Sequence, residues 1–136
     1  MKNKRKLSKF LDSVVLKYRK NIKQIHLSYI FCTDENLLSL NQQYLDHDTY
    51  TDIITFDLSE TPEILVLGEV YISIDRVREN AGKYNVPYDE ELLRVIVHGA
   101  LHLCGFKDKT TSEKQIMRQH ENSCINEFQD ILATGL

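Results

Sequence analysis

Residues 89–108, DEELLRVIVHGALHLCGFKD, are the most informative segment of this chain. From Asp89 to about Cys104 the residues are apolar on nearly every side of a helical projection, which is typical of a central, buried helix. Asp89 is expected to cap the start of this helix, and Gly105 is expected to end it with a left-handed turn. The segment therefore predicts a helix enclosed by the rest of the domain.

Two histidines on this predicted helix indicate a metal site. His98 and His102 lie four residues apart, so their side chains emerge on one face, one turn apart. A single buried histidine is usually a hydrogen-bonded core residue, but two in an apolar helix each need a polar partner, and one metal ion supplies both. After Gly105 the chain can turn back and bring Asp108 to the same ion. Two imidazoles and a carboxylate leave a fourth tetrahedral position for water, so we predict one catalytic Zn²⁺ on His98, His102 and Asp108.

Two of the residues near this motif also have a more ordinary interpretation. Lys107 and Lys109 flank Asp108, so a surface salt bridge would also explain an aspartate there. His120 could reach the ion from the last predicted helix, but a histidine on a helix surface is the simpler interpretation. The two histidines of the buried helix are therefore the firmest part of the predicted site.

The residue after the first histidine bears on the reaction. Helical zinc proteases normally read H-E-x-x-H with the glutamate as general base, and this chain has Gly99 at that position. A protease would lack its usual proton acceptor, so a carboxylate of another element would have to serve. Glu69, in a strand that could bulge at Gly68, and Asp52 are the candidates, although each is more often a plain loop or edge carboxylate.

The composition is that of one ordinary globular domain. The chain has 136 residues, of which 42% are hydrophobic, and we predict a single domain over residues 1–136. No signal peptide is evident, and no apolar run approaches the roughly 18 to 20 residues of a membrane span. The three cysteines lack CxxC spacing and are odd in number, which favours a reducing compartment over a disulfide scaffold. We therefore expect a cytoplasmic protein without a membrane segment.

The charge is unevenly distributed. The net charge of −3 weakly disfavours a protein that coats nucleic acid by charge alone. Residues 1–25 hold nine Lys or Arg against one acid, Asp12, a charge of +8 that leaves −11 for the remainder. This segment is either a basic face for phosphate contacts or the solvated side of an ordinary helix.

Hydrophobic periodicity predicts an α+β domain, with a small mixed sheet of about four strands, several helices and the metal site on the central buried helix. Asp34 and Asp75 are expected to cap helices, and Thr110 with Glu113 forms a capping-box pattern. Helices are predicted over residues 6–20, 34–45, 75–84, 89–104 and from 110 onward, and strands over 25–32, 52–58 and 64–74.

Three segments in order resemble one known family. Residues 98–108, HGALHLCGFKD, resemble the H-G-x-L-H-L-x-G-Y-D-H signature of the bacterial YbeY family of single-strand-specific endoribonucleases. Residues 40–57 resemble its L-N-x-x-Y-R…T-D-V-L-S-F-P segment, and residues 67–73 its L-G-D-I-x-I-S strand. The resemblance spans roughly residues 35–125. It implies a zinc-binding α+β fold that acts on single-stranded RNA in 16S rRNA 3′-end maturation and ribosome quality control, with the small ribosomal subunit as partner.

The resemblance also implies roles for single residues. His98 and His102 match the first two ligands, and Asp108 replaces the family's third histidine with another legitimate zinc ligand. Glu69 occupies the position of the aspartate in the family's L-G-D-I-x-I-S strand. We predict that Glu69 and Lys107 are catalytic residues.

One departure from the family concerns phosphate binding. Leu45 stands where the family has an arginine, and leucine cannot bind phosphate. RNA contacts are therefore expected from Arg76, Arg78, Lys107 or the basic N-terminal helix, although a solvated surface charge is the ordinary interpretation of each.

Three functions remain open at this point. The leading hypothesis is an endoribonuclease. A non-catalytic RNA- or ribosome-binding factor with a structural metal is consistent with Leu45 and with the non-histidine ligand. A small metallopeptidase is suggested by the helix histidines alone, and Gly99 counts against it.

Overall fold

The computed structural model describes residues 3–45 and 50–134, so residues 46–49 of the second family-like segment lie outside the described part. The predicted α+β class is confirmed, but the described sheet has three strands instead of about four, because the other apolar segments carry helical periodicity. The elements are α1 (Lys4–Tyr18), β1 (Gln24–Cys32), α2 (Asp34–Leu45), β2 (Ile53–Asp57), β3 (Leu65–Ser73), α3 (Ile74–Tyr84), α4 (Tyr88–Leu103) and α5 (Thr111–Thr134).

The central strand of the sheet is β3, which pairs in parallel with β1 and antiparallel with β2. Its register with β1 is continuous from Leu65 to Ser73, so the bulge considered at Gly68 is absent. A Cβ at Gly68 would lie 2.5 Å from Cδ1 of Leu103. The glycine therefore serves the close approach of α4 to the sheet.

The core lies between one face of the sheet and helices α1, α4 and α5. Alternate residues of β3, including Val66, Val70 and Ile72, are fully buried on this face. Ten of the sixteen residues of α4 are buried, which confirms the prediction of a central helix. Because α4 packs on α1, α3, α5, β2 and β3, it holds its histidines within a rigid frame.

The predicted helix starts are partly wrong. The sequence predicts N-caps at Asp34, Asp75 and Asp89, but all three lie in the first turn of their helices. The N-cap of α3 is Ser73, whose hydroxyl accepts from a backbone N–H three residues later, and that of α4 is Pro87. Acidic residues are also favoured in the first turn by the helix dipole, so they mark a helix start only to within a residue or two.

The predicted capping box at the start of α5 and the predicted left-handed turn at Gly105 are both confirmed. The Thr110 N–H donates to Glu113 at 2.9 Å, and the Glu113 N–H donates to the Thr110 hydroxyl at 3.1 Å, which is the reciprocal capping box. Gly105 has a φ of 98°, as the left-handed turn after α4 requires. Among the described residues, no helix combines the length and apolarity needed to cross a membrane.

Candidate metal centre

Three side chains of types that bind metal ions lie close together on α4 and in the turn that follows it. The rings of His98 and His102 lie 4.4 Å apart between centroids, at 84° to one another. Oδ2 of Asp108 lies 3.1 Å from Nε2 of His98 and 3.4 Å from Nε2 of His102. One ligand atom of each residue lies within 4.8 Å of the others, a spacing that one metal ion can bridge.

The turn after α4 brings Asp108 to the histidines. The Gly105 N–H donates to the carbonyl of His102 at 3.0 Å, and the Phe106 N–H donates to the carbonyl of Leu101 at 3.1 Å. These bonds close the helix end and reverse the chain direction. Asp108 therefore reaches the ligand trio through local backbone geometry.

Hydrogen bonds at Nδ1 orient both imidazole rings. Nδ1 of His102 lies 2.9 Å from the carbonyl oxygen of Phe106, which can only accept, so this nitrogen carries the hydrogen and donates it. Nδ1 of His98 lies 2.6 Å from Oε2 of Glu121. Both Nε2 atoms then face the Asp108 carboxylate. In neutral imidazoles these nitrogens can only accept a hydrogen bond, and the carboxylate can also only accept, so neither side can donate to the other. A shared cation relieves this opposition, so the trio fits a metal ion.

Glu121 joins His98 to a second charged residue. Its side chain is only 7% exposed, and its Oε1 accepts from Nη1 of Arg94 at 3.1 Å. Burial alone would raise the pKa of Glu121, but the His98 hydrogen bond and the Arg94 guanidinium outweigh it and hold the pKa below its usual value. Burial opposes protonation of His98, yet Glu121, Asp108 and Asp52 together raise the pKa of His98. The Glu121 carboxylate, hydrogen-bonded to His98 at 2.6 Å, therefore orients the His98 ring.

The sequence interpretation missed Glu121, although a signal was present. Met117, Cys124 and Phe128 of α5 are buried at helical intervals. Glu121 lies at the helical interval between Met117 and Cys124, so it occupies the same stripe. A carboxylate on a buried stripe needs a polar partner, and that requirement predicts a hydrogen bond or ion pair with another element.

The trio opens into a cleft of about 860 Å³. Asp52 lines this cleft, and its burial raises the pKa of its carboxyl. Before any metal binds, five carboxylates outnumber the three Lys and Arg residues in the lining, so a bound cation would also balance charge. These charged residues are Asp52, Asp57, Glu91, Asp108 and Glu121, with Arg94, Lys109 and Arg118.

The two predicted catalytic residues are not among the described residues that line the cleft. Glu69 lies on the face of β3 opposite α4, because side chains alternate along a strand and Gly68 and Val70 face the helix. Its carboxylate accepts from the hydroxyl of Tyr71 at 3.2 Å. Lys107 is exposed beside Asp108. Neither belongs to the described lining of the cleft.

The predicted RNA contacts and the fourth candidate ligand also lie elsewhere. Arg76 pairs with Asp34 at 3.0 Å and with a glutamate one turn away at 3.1 Å. The guanidinium of Arg78 lies over the ring of Tyr88. His120 contacts the hydroxyl of a tyrosine on α1 at 2.9 Å and is not part of the metal-ligand trio. Among described residues, these three side chains are absent from the cleft lining.

Known proteins similar to this chain agree with one another. A profile of the family described as endoribonuclease YbeY matches residues 1–129. The endoribonuclease YbeY of Flavobacterium psychrophilum is 50% identical over 119 residues, which cover 88% of this chain and 82% of that protein. The one of Cytophaga hutchinsonii is 44% identical over 126 residues, which cover 93% and 86%. A solution structure from Thermotoga maritima is 31% identical with a TM-score of 0.64, covering 96% of this chain and 84% of that one.

Proposed function

The chain belongs to the endoribonuclease YbeY family, and on this premise we propose that it acts, as one domain over residues 1–136, as a metal-dependent endoribonuclease on single-stranded RNA. One observation carries the proposal. Asp108 lies 3.1 and 3.4 Å from two histidine Nε2 atoms whose opposite ring nitrogens are already hydrogen-bonded, and this trio opens into a cleft.

The proposed ligands are His98, His102 and Asp108, and the proposed metal is one Zn²⁺ per chain. Two imidazole nitrogens and a carboxylate oxygen are a common zinc donor set that leaves a position for solvent or substrate. When bound, such an ion polarises water and phosphate oxygens. The hydrogen bonds that the two rings donate to Glu121 and to the Phe106 carbonyl would hold the rings ready for it.

Proton transfer is assigned to Asp52 among the carboxylates that the sequence suggested. Asp52 lines the cleft, whereas Glu69 lies on the other face of the sheet. Burial raises the pKa of Asp52, so its carboxyl keeps a proton at higher pH than an exposed aspartate. A group of this kind suits proton exchange with a reacting phosphodiester. The catalytic roles of Glu69 and Lys107 stay predictions.

The proposed substrate and setting come from the family. The relatives are named endoribonucleases, which supports RNA as the substrate class. We assign this chain to 16S rRNA 3′-end maturation and ribosome quality control in the cytoplasm, with the small ribosomal subunit as its partner. Contacts of Arg76, Arg78 and Lys107 with RNA would then be made outside the cleft.

Metal content and RNA cleavage test this function together. In His98→Ala we expect zinc content to fall well below one per chain and cleavage of a fluorescent single-stranded RNA to fall by about 100-fold or more, because a first ligand is lost. His26→Ala is the matched control, since His26 is exposed on β1. A chelator should abolish wild-type cleavage, and zinc should restore it. Unchanged metal content and cleavage in His98→Ala would refute the proposal.

The alternatives to an endoribonuclease are a metallopeptidase and a non-catalytic RNA-binding factor. A metallopeptidase is disfavoured, because a Cβ at Gly99 would lie 2.8 Å from Cγ1 of Val70, so this position faces the sheet and cannot present a general base to the cleft. A non-catalytic RNA-binding factor remains the second candidate, because Leu45 places no phosphate ligand in the cleft. Zinc-loaded protein that binds RNA and leaves it intact would favour that candidate.

A further inference from the structure

Two exposed apolar side chains line the cleft at the ends of two helices. Leu45, the last residue of α2, is 43% exposed, and Tyr84, the last residue of α3, is 53% exposed. Asn85 follows Tyr84 with a φ of 56°, so the helix ends there, and the Tyr84 ring has Nζ of Lys83 at 5.7 Å from its centroid. Exposed apolar groups gathered at a functional cleft are typical of a ligand-binding surface.

Asn80 contributes a side-chain amide to the cleft that Leu45 and Tyr84 line. Asn80 lies four residues before Tyr84, hence on the same face of α3, and also lines the cleft. Its side chain offers both a hydrogen-bond donor and an acceptor. A flat apolar ring beside an amide matches the face and the edge of a nucleobase.

Two of the three cations that line the cleft come from α5 and the segment just before it, not from α2 or α3. Lys109 and Arg118 lie just before and within α5, and α4 packs against both α3 and α5. Arg94 is held by Glu121 at 3.1 Å, whereas Nη1 of Arg118 lies 3.8 Å from Glu121 and its side chain is 57% exposed. Arg118 can therefore turn towards a ligand and lose only its long contact with Glu121. A guanidinium of this kind is suited to phosphate.

We propose that one RNA strand crosses the cleft with its phosphates on the Lys109 and Arg118 side and an unpaired base on Tyr84 and Leu45. This inference rests on the proposed function and extends it to the basis of single-strand selection. A base can stack on Tyr84 only when it is withdrawn from its own helix, so a duplex would forfeit this contact.

Binding of a fluorescein-labelled single-stranded RNA octamer to the zinc-loaded protein tests the base contact. Anisotropy would be read within the first minute, with RNA integrity checked on a gel. Tyr84→Ala should weaken binding by about 5- to 150-fold, the range found for loss of one aromatic stacking partner, and Tyr84→Phe should bind within about twofold of wild type. Tyr44→Ala is the matched control, because Tyr44 is 61% exposed on α2 but is not among the described cleft residues.

Two further measurements separate base from phosphate contacts. Arg118→Ala should weaken binding and reduce the slope of log K against log salt by about 0.7, the value for one phosphate of a single strand, whereas Tyr84→Ala should leave the slope unchanged. With an abasic octamer, wild type and Tyr84→Ala should bind alike. Wild-type affinity in Tyr84→Ala, or a binding defect that persists on abasic RNA, would overturn the proposed base contact. Neither result would contradict the proposed cleavage of RNA. If the wild type neither bound nor cut RNA, the proposed function would fail as well.

Discussion

Nδ1 of His98 lies 2.6 Å from Oε2 of Glu121, so a carboxylate of α5 orients a candidate metal ligand of α4. The same carboxylate accepts from Arg94, one turn before His98 on α4. Helix packing thus determines which nitrogen of His98 faces Asp108. Carboxylate–histidine pairs of this kind commonly fix the ring and raise its basicity toward a metal.

Replacing Glu121 by glutamine should weaken zinc binding by about 10- to 100-fold, the usual cost of losing such a partner. Glutamine can still accept a hydrogen bond from His98, but it removes the negative charge that supports the ring. Competition with a chromophoric chelator measures the affinity, and Glu127→Gln is the control because Glu127 is exposed on the same helix. If both variants bound zinc like wild type, Glu121 would have no positioning role.

Substitutions of Asp108 should separate ligand chemistry from local shape. Asp108→Ala should lower zinc affinity by about 100-fold or more, because it leaves two ligands, whereas Asp108→His should retain binding through a third imidazole. Zinc content after dialysis and chelator competition are the measurements. Equal zinc binding by the alanine variant and wild type would show that Asp108 is not a ligand.

Gly99→Ala should destabilise the protein by about 1 to 3 kcal/mol, the usual cost of overpacking a core. The added methyl would lie 2.8 Å from Cγ1 of Val70 and 3.0 Å from Cδ1 of Ile53. Gly82→Ala is the matched control, because a Cβ there would meet nothing within 4 Å; in that helix alanine should stabilise by roughly 0.5 to 1 kcal/mol. Urea denaturation measures both, and a neutral Gly99→Ala would contradict the packing of α4 on the sheet.

Glu91→Gln should raise the free energy of unfolding at pH 7. Burial, followed by the charge of Asp52, raises the pKa of Glu91. A pKa raised on folding favours the protonated carboxyl, so its contribution to stability is full below the unfolded pKa and is lost as pH rises through the folded one. The gain from glutamine should therefore shrink between pH 7 and pH 4. Urea titrations of metal-free protein at both pH values test this, with Glu127→Gln as an exposed control; a gain that is the same at both pH values would exclude this cause.

Much of the candidate site could be predicted because it is local in sequence. Helical spacing places His98 and His102 on one face, and the turn at Gly105 returns Asp108 to them within a few residues. The capping box of α5 is equally local. Such features depend on backbone geometry over one or two turns, and residue type is sufficient to indicate them.

The choice between Glu69 and Asp52 could not be made in this way. Alternation along β3 shows that neighbouring residues face opposite sides of the sheet, but it does not say which side α4 covers. The close contacts of Gly68 with Leu103 and of Gly99 with Val70 settle that question and turn Glu69 away from the cleft.

The sequence by itself determined the α+β class, the buried helix and the proximity of His98, His102 and Asp108, because each depends on periodicity and short-range turns. Only the tertiary structure decided that Glu121 supports His98, and that Leu45 and Tyr84 share a cleft with Arg118. Those relationships join residues far apart in the chain, and they depend on how helices pack on a sheet. Side-chain packing of that kind is cooperative over the whole core, so no single segment encodes it.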